Sequence, residues 1–410
     1  MDEIMKKVLY VSYDGMTDPL GQSQVLPYIS GLSKEGYEFH LISFEKEDKF
    51  NIHKDHIQSI CDESGIKWHP QDYKNEGGLK KTIKQVRRMK RVVRYLQEKH
   101  NFDIVHCRSY ISALSGLALK RKHNVKFVFD MRGFWANERI DGNIWTLSNP
   151  IFKRIYNYFK KKEIEFLSEA DYTISLTENG RDEINSWKAF QSKKPPIQII
   201  PCCVNLDLFN PENTTTIQIS EAKKRLGIEP NQFVLGYVGS IGTWYMLPEM
   251  LDYFKVLKRK NNNAVFLFIS GENPKHIMNE VEKKGIDQAS IFIQSVLHKE
   301  VPLHISLFDE SIFFIRASYS KKASSPTKQG EIMAMGIPLI CNAGVGDTDR
   351  IVEKYHSGKI ISEFSNEAYS IAIDDNGTFN RERTMEGARE YFSLKEGVKN
   401  YLNVYKTIDG

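Results

Sequence analysis

The first half of the chain alternates short apolar runs with longer segments of mixed polarity. The apolar runs are KKVLYVSY, FHLISF, IVHC, KFVFDM and YTISLT. Continuous apolar runs of this length are typical of strands that are buried on both faces of a parallel sheet. The segment VLPYISGLSKEGY, which follows the first run, predicts a helix that stops at a glycine. The alternation therefore predicts a doubly wound α/β domain.

A second series of the same kind begins at FVLGYVGS and continues through AVFLFISG, SIFIQSV, SIFFIRAS and IPLICNAG. The run IIPCCVNLDLFNP, with a proline near each end, separates the two series. We predict an N-terminal domain over 1–200, a linker over 201–211, a C-terminal domain over 212–385 and a terminal amphipathic helical segment over 386–410. Two such domains would face each other across a cleft, and ligands bind at the carboxyl ends of such strands.

Composition narrows the class of protein. The 410 residues are 41% hydrophobic and 27% charged, which is normal for a globular protein, and the length favours two domains. No apolar run reaches the length that spans a bilayer, and the N-terminus lacks a signal-peptide pattern. The five cysteines, an odd number, have no metal-binding spacing. These features predict a cytoplasmic protein without a disulfide framework.

Positive charge is concentrated in the first half of the chain. Residues 1–200 carry 33 Lys and Arg against 26 Asp and Glu, a balance of +7, while the rest carry 24 against 26, a balance of −2. In 79–100, the apolar positions Leu79, Ile83, Val86, Met89, Val93 and Leu96 recur at helical spacing among many cations. A second basic segment, 153–162, contains Tyr and Phe. The alternatives are solvated helix faces or contact with anionic lipid at the inner face of the plasma membrane.

Two loops are candidates for binding phosphate. DGMTDPLGQSQ, with Gly15 and Gly21, separates the first predicted strand from the first helix, where backbone N–H groups often meet a phosphate. An ordinary turn explains the same residues equally well. The sequence contains neither the dinucleotide fingerprint nor the P-loop motif, which argues against a dinucleotide enzyme and a P-loop NTPase.

The second loop lies in ASSPTKQGEIMAMGIPLI, 323–340. Ser324, Ser325 and Thr327 can cap a helix whose N-terminus favours anions, and Lys328 adds a full positive charge. We predict a diphosphate at this place. Glu331 would repel a phosphate but can accept hydrogen bonds from the two hydroxyls of a ribose. The alternative is a glutamate that only complements the helix dipole.

These segments together resemble the retaining glycosyltransferases of family 4, which have the GT-B fold. The resemblance rests on IIPCCVNLDLFNP, LGYVGSIGTWYMLPEML and SSPTKQGEIMAMGIPLICNAGVGDTDRIVE and covers nearly the whole chain. The segments DGMTDPLGQSQ and FDMRGFW are similar to those of a group that acts in bacterial surface-polysaccharide pathways, such as capsule, O-antigen or exopolysaccharide synthesis. The resemblance implies that the C-terminal domain binds a nucleotide-sugar, the N-terminal domain binds a saccharide or lipid-linked acceptor, and the last helix crosses back to the first domain.

The resemblance and the loops together give two sets of candidate residues. Glu331 would hold the ribose, and the donor-binding set comprises Gly21, Gln22, Gly239, Ser240, Arg316, Ser325, Thr327, Lys328, Gln329 and Glu331. The catalytic candidates stand at strand ends of the first domain or just beyond, and are His106, Arg108, Asp130, Arg132 and Glu138.

The chain departs from the family pattern at two places of the donor site. Ala323 stands where many members have a second glutamate that contacts the sugar. The segment GSIGTWYML, with Ser240, lacks the Arg and Lys that many members place on the diphosphate. Lys328, Lys322 and Arg316 are candidate replacements. In the first domain, Asp130 and Arg132 stand near the place of a family histidine.

Transfer is expected to need no cofactor and no metal. Asp347-Thr348-Asp349 has the spelling of a metal-binding D-x-D motif, but its position between a strand and RIVEKYH favours a helix N-cap with an acidic first turn. Fixed donors and cations would then stabilise the leaving diphosphate. The sugar would be transferred with retention, and the leaving phosphate would take the acceptor proton. Asp130 and Glu138 are the carboxylates that would orient the acceptor or the sugar; the alternative is that they are ordinary surface or core carboxylates.

Two other functions fit the same architecture. A non-hydrolysing nucleotide-sugar epimerase would convert its substrate without an acceptor. A catalytically silent nucleotide-binding subunit would explain Ala323 and the missing Arg and Lys. Nucleic acid is not expected as a partner, because no recognised nucleic-acid-binding module is present.

Overall fold

The strands of the computed structural model form two separate parallel sheets. The structure describes residues 5–73, 78–375, 377 and 379–409, without the side chains of Leu79 and Lys80. The seven-stranded sheet has the order β3-β2-β1-β4-β5-β6-β7 and the six-stranded sheet the order β10-β9-β8-β11-β12-β13. The strands are β1 Lys6–Ser12, β2 Tyr37–Glu45, β3 Lys67–Asp72, β4 Ile104–Arg108, β5 Lys126–Asp130, β6 Tyr172–Ser175, β7 Ile197–Ile199, β8 Phe233–Val238, β9 Ala264–Ile269, β10 Ile291–Gln294, β11 Glu310–Phe313, β12 Leu339–Asn342 and β13 Gly358–Ile361.

Helices connect successive strands, as parallel pairing requires. They are α1 Pro19–Gln24, α2 Leu26–Ser33, α3 Glu47–Glu63, α4 Gly78–His100, α5 Ser109–His123, α6 Trp135–Asp141, α7 Pro150–Glu169, α8 Glu178–Ser186, α9 Thr216–Leu226, α10 Leu247–Lys260, α11 Pro274–Lys283, α12 Val301–Ile305, α13 Thr327–Ala334, α14 Thr348–Tyr355, α15 Asn366–Asp374, α16 Arg381–Tyr391 and α17 Leu394–Asp409. The predicted α/β class with two Rossmann-like domains is confirmed.

The chain divides into two compact units, one of residues 1–201 with 394–410 and one of residues 202–393. We call them the first and the second unit. This division differs from the predicted boundaries in two places. The expected linker, 201–211, belongs to the second unit from Cys202 onward. The expected C-terminal segment, 386–410, is interrupted at Phe392 and Ser393, and only α17 belongs to the first unit.

Packing of α17 on α2 explains why the last helix belongs to the first unit. Tyr28 of α2 meets Tyr401 edge to face, with 5.4 Å between the ring centres. A Cβ added to Gly31 would lie 2.7 Å from Cγ2 of Val398, closer than real Cβ contacts. Glycine at 31 therefore allows the two helices to approach each other.

Candidate active site

In the second unit, the first residues of α13 follow the Ser-Ser-Pro turn as predicted, but the capping prediction was wrong. Pro326 occupies the N-cap position, and no side chain caps the helix. The Ser325 hydroxyl instead accepts a hydrogen bond from the Cys202 amide, at 3.2 Å. Thr327 and Lys328 take the first two helical positions, where amide groups have no acceptor inside the helix. The helix N-terminus therefore remains suited to an anion.

Lys328 is the most constrained cation of this site. Its side chain is 6% exposed, and Nζ donates to the hydroxyl of Tyr237 at 2.8 Å. Nζ also lies 3.6 Å from the ring centre of Tyr245 and 3.9 Å from that of Tyr237. Burial lowers the pKa of Lys328 well below its usual value, and the charge of Glu331 opposes this shift. The ammonium form therefore needs a nearby anion to be stable.

Gly239 approaches the same ammonium group from the end of β8. Its φ is +104°, in the region that favours glycine, and an added Cβ would lie 3.3 Å from Nζ of Lys328. Ser240 beside it donates from its hydroxyl to Glu272, at 2.5 Å, and its carbonyl accepts from Tyr237 at 2.6 Å. The hydroxyl of Ser240, a predicted donor-binding group, is thus used inside the protein.

Glu331 lies in the second turn of α13. Its side chain is 13% exposed, and Oε1 lies 3.9 Å from Nε2 of His298, which is itself largely exposed. Gly330 before it has a packing role, because an added Cβ would lie 2.8 Å from Val204 and 2.9 Å from Phe392. The Glu331 carboxylate is therefore mostly buried, and the exposed imidazole of His298 lies beside it.

Gln329 has a structural role that the sequence did not predict. Its side chain is 1% exposed and donates to the carbonyl of Thr348 in α14 at 3.2 Å. This contact fixes α13 against α14, so the predicted donor contact through its side chain is not supported.

Two further cations pack against the ring of Trp244. Nζ of Lys321 lies 3.7 Å from its ring centre, and the guanidinium carbon of Arg316 lies 5.1 Å from it. The Arg316 amide also donates to the Trp244 carbonyl at 3.0 Å. Sequence reasoning named Arg316 but missed Lys321 and the aromatic partners Tyr237, Trp244 and Tyr245. A signal was available, since Trp244 and Tyr245 stand in GSIGTWYML, a segment that contains no Arg or Lys.

In the first unit, four predicted residues come together at the ends of β4 and β5. His106, Arg108, Asp130 and Arg132 form what we call the arginine–aspartate cluster. Register explains the grouping, because Arg108 pairs with Ser12 of β1 and with Asp130 of β5. Asp130 Oδ2 lies 3.8 Å from His106 Nε2 and 3.9 Å from Arg108 Nη1, and Oδ1 lies 3.9 Å from Arg132 Nη1.

The charge states of the cluster follow from its burial. Asp130 is fully buried, which by itself raises its pKa, but the positive charge of Arg132, the interaction with the nearby His106 imidazole and the charge of Arg108 outweigh burial and hold the pKa below its usual value. Burial lowers the pKa of His106 despite the opposing effect of Asp130. Asp130 is therefore ionised and His106 is neutral near pH 7.

The last helix completes this cluster. Tyr401 of α17 donates to Asp130 Oδ2 at 3.2 Å, and the Tyr405 hydroxyl lies 2.7 Å from His106 Nδ1. Sequence reasoning missed both tyrosines, because nothing in an amphipathic terminal helix reveals what its buried face contacts. Glu138, the remaining catalytic candidate, lies in the first turn of α6 and is half-buried.

The loop after β1 does not have the predicted form. Gly21 and Gln22 lie inside the short helix α1 and not in an open loop. The buried carboxylate of Glu45 accepts from the amides of Met16 and Thr17, at 2.8 and 3.0 Å, and from the Thr17 hydroxyl. The protein's own anion therefore occupies backbone donors that we expected to meet a phosphate.

The prediction about Asp347 and Asp349 is partly right. Asp347 stands at the N-cap of α14 and Asp349 in its first turn, but the Asp347 side chain makes no capping hydrogen bond. It accepts from the Tyr391 hydroxyl at 2.7 Å and lies 3.3 Å from Arg350. Among the residues that the structure describes, no group of three or more His, Cys, Asp or Glu could hold a metal ion.

The basic helix α4 has a buried and an exposed face. Met89, Val93 and Leu96 are buried as predicted, whereas Ile83 is 43% exposed, contrary to the predicted apolar stripe. Leu79 and Lys80 lie outside the described side chains. The exposed cations are Lys81, Lys84, Arg87, Lys90, Arg91, Arg94 and Lys99. In the described parts of the chain, no helix is both long and apolar enough to cross a membrane.

The second basic segment is less basic than its sequence indicates. Lys160 pairs with the buried Glu163, and Lys162 pairs with Glu165 at 2.7 Å. Lys153, Arg154 and Lys161 are exposed. Burial, and then the charge of Lys162, lower the pKa of Lys90, so α4 and α7 contribute to one charged surface.

Two protein-family models match this chain. The model "Glycosyltransferase Family 4" matches residues 23–208, and the model "Glycosyl transferases group 1" matches residues 218–382. A search of curated protein sequences finds no match.

Solved structures of other proteins share this fold. A glycosyltransferase from Rickettsia africae has a TM-score of 0.72 at 15% identity, with 99% of each chain covered. Sucrose-phosphate synthase from Thermosynechococcus elongatus has a TM-score of 0.74 at 13% identity, over 98% of this chain and 99% of that one. HepE from Anabaena, solved with UDP and glucose, has a TM-score of 0.70 at 14% identity, over 98% and 100%. Together, the two family models and the shared fold show that this chain belongs to the family 4 glycosyltransferases with the GT-B fold.

Proposed function

We propose that the protein transfers a sugar from a nucleoside-diphosphate sugar to a saccharide or lipid-linked saccharide acceptor, with retention and without a metal ion. The donor assignment rests on the burial and surroundings of Lys328. A buried lysine between two tyrosines, at the N-terminus of α13, gains most from an anion that approaches that helix end.

The second unit would hold the donor. The diphosphate would lie against Lys328, the first amides of α13 and the backbone at Gly239, where a side chain would crowd the ammonium group. Glu331, one turn further along, would accept hydrogen bonds from the ribose hydroxyls. Arg316 and Lys321, stacked on Trp244, bring further positive charge to the same strand ends. The relative HepE was solved with UDP and glucose, which makes UDP a reasonable first probe.

Catalysis would depend on the departure of the nucleoside diphosphate. Fixed cations and helix amides stabilise the leaving charge without solvent reorganisation, which is the usual main source of transition-state stabilisation. The leaving phosphate oxygen would take the proton of the attacking hydroxyl on the same face of the sugar, so the anomeric configuration is retained. The arginine–aspartate cluster of the first unit would bind and orient the acceptor.

We further propose that the exposed cations of α4 bring the enzyme to an anionic cytoplasmic membrane surface, where a lipid-linked acceptor in surface-polysaccharide synthesis would be found. Each cation near such a surface contributes about 1 kcal/mol.

The function is tested with purified protein and a panel of UDP-, GDP- and dTDP-sugars. A ligand that binds only the folded protein raises its melting temperature, so the matching donor is identified by thermal shift. Lys328→Met should weaken nucleoside-diphosphate binding about tenfold or more, as expected for a lost charged hydrogen bond. Lys275→Met, on the exposed face of α11, is the control and should bind like the wild type.

Turnover of the matching donor then distinguishes a glycosyltransferase from an epimerase and from a catalytically silent nucleotide-binding subunit. A glycosyltransferase should hydrolyse or transfer the donor slowly in excess chelator, and the released or transferred sugar should keep its anomeric configuration by NMR. Conversion of the donor to an epimer, or binding without any turnover, would contradict the proposal. Activity that disappears with chelator and returns with manganese would contradict metal independence.

A further inference from the structure

Arg108 is a buried cation whose hydrogen-bonding capacity is only partly used, since it interacts with the Tyr10 hydroxyl but leaves two of its nitrogen atoms without an acceptor. Its side chain is 3% exposed, and neither Nε nor Nη1 makes a hydrogen bond within the described residues. The nearest carboxylate oxygens are Asp14 Oδ2, 3.6 Å from Nε, and Asp130 Oδ2, 3.9 Å from Nη1. Both distances are longer than the donor–acceptor distance of a hydrogen bond. A buried charged donor without an acceptor is costly, so these two nitrogen atoms are suited to bind an anion.

The balance of charge in the cluster also favours an anion. Arg108 and Arg132 are positive, Asp130 is negative, and His106 is neutral. The buried part of the cluster therefore has one positive charge in excess. Asp14 offsets part of this charge, but its side chain is 48% exposed, whereas that of Asp130 is buried.

Asp14 also shows from which side an anion reaches the guanidinium group. It follows β1 and approaches Nε of Arg108 from the solvent, at the carboxyl ends of the parallel strands, where ligands of such sheets bind. A ligand carboxylate or phosphate that came closer than 3.6 Å would replace this weak contact with charge-assisted hydrogen bonds.

We propose that Arg108, assisted by Arg132, binds an oxyanion of the acceptor, a phosphate or a carboxylate. This inference rests on the proposed function in that it assigns the ligand of the first unit to the acceptor. The acceptor would then be an anionic saccharide or a saccharide linked through phosphate, not a neutral sugar. Arg108 would act as a binding residue, and Asp130 would keep its guanidinium in place.

The test is a calorimetric titration with two probes, inorganic phosphate and acetate, in the presence of saturating UDP to occupy the donor site. Wild-type protein should bind at least one probe, and the stronger probe identifies the class of oxyanion. Arg108→Gln should weaken that binding about tenfold or more, the loss expected for hydrogen bonds to a charged group. Asp14→Asn should strengthen it severalfold, because it removes the competing carboxylate.

Arg121→Gln is the matched control. This arginine lies on the exposed face of α5 in the same unit and pairs with Glu165 and Glu169. It should bind the probe like the wild type. If Arg108→Gln does not fold, two other variants test the proposal. Arg108→Lys keeps the positive charge, and Asp14→Asn changes a side chain that is half-exposed.

Two results would overturn the inference. One is probe binding that is equal in wild type, Arg108→Gln and Asp14→Asn. The other is the absence of binding of either probe to Asp14→Asn. UDP binding, measured first in the same samples, reports separately on the proposed donor site, so a protein that binds UDP but neither probe refutes only the anionic acceptor.

Discussion

Replacing Glu331 is the most direct test of the proposed donor site. Glu331→Gln keeps the size of the side chain but removes the charge that would hold two ribose hydroxyls. We expect UDP affinity to fall by about 1–3 kcal/mol, the cost of charged hydrogen bonds. Calorimetry measures the change, and Glu282→Gln, on an exposed position of α11, serves as the control. Unchanged affinity in Glu331→Gln would show that the carboxylate only complements the helix.

A buried histidine predicts how stability depends on pH. His40 in β2 lies 3.0 Å from His69, and its ring is completely buried. Burial lowers the pKa of His40 to about 4; the hydrogen bond to Glu38 opposes the shift, and the charges of His100, His69 and Lys67 add to it. The unfolded chain, with a pKa near 6.5, binds more protons between these values. Stability should therefore decrease as the pH falls from about 6.5 to about 4.

The contribution of His40 to this loss is about 1–3 kcal/mol, since one pKa unit corresponds to 1.36 kcal/mol. Urea denaturation at pH 7 and pH 5 measures it. His40→Gln should show a smaller difference between the two pH values than the wild type. His56→Gln, exposed on α3, should behave like the wild type. An equal pH dependence in His40→Gln would assign the acid sensitivity to other groups.

At the scale of elements, the apolar pattern predicted the central strands well and the edge strands poorly. It missed β3, β7 and β13, each of which lies at an edge of its sheet. The segments KWHPQD, IQI and GKII are short or polar because an edge strand is only partly buried, so periodicity carries little signal.

The residues of the candidate site were also predicted only in part. Charged residues at strand ends were identified, whereas their aromatic and hydroxyl partners come from distant segments.

The contact between α2 and α17 can be tested as a pair. Gly31→Ala places a Cβ against Val398, and overpacking of this kind costs about 1–3 kcal/mol. Val398→Ala removes the obstructing methyl groups, so the double variant should recover part of the stability that Gly31→Ala loses. A double-mutant cycle by urea denaturation measures this coupling. Additive effects of the two substitutions would mean that the helices adjust without strain.

At the scale of the whole molecule, the asymmetry of charge predicts salt-dependent membrane binding. The wild type should co-sediment with anionic vesicles at low salt and dissociate as salt rises, because screening shortens the range of surface charges. Gln substitutions on the exposed face of α4 should abolish binding and leave UDP affinity unchanged, at Lys81, Lys84, Arg87 and Arg91.

The matched control removes the same charge from the second unit, at Lys224, Arg225, Lys275 and Lys283. It should bind vesicles like the wild type. Equal loss in both variants would indicate an effect of net charge alone, and failure of the wild type to bind at low salt would exclude the membrane as the place of action.

The return of the last helix to the first unit has a consequence for biosynthesis. Tyr401 contacts Asp130 across 271 residues of sequence, and Tyr405 contacts His106 across 299. A ribosome makes the entire second unit before it makes these tyrosines, and domains generally fold as units in the order of synthesis. While the second unit is translated, the face of α2 that packs on α17 therefore stays uncovered in the nascent first unit. The arginine–aspartate cluster would be completed only in the last steps of translation, when Tyr401 and Tyr405 are made.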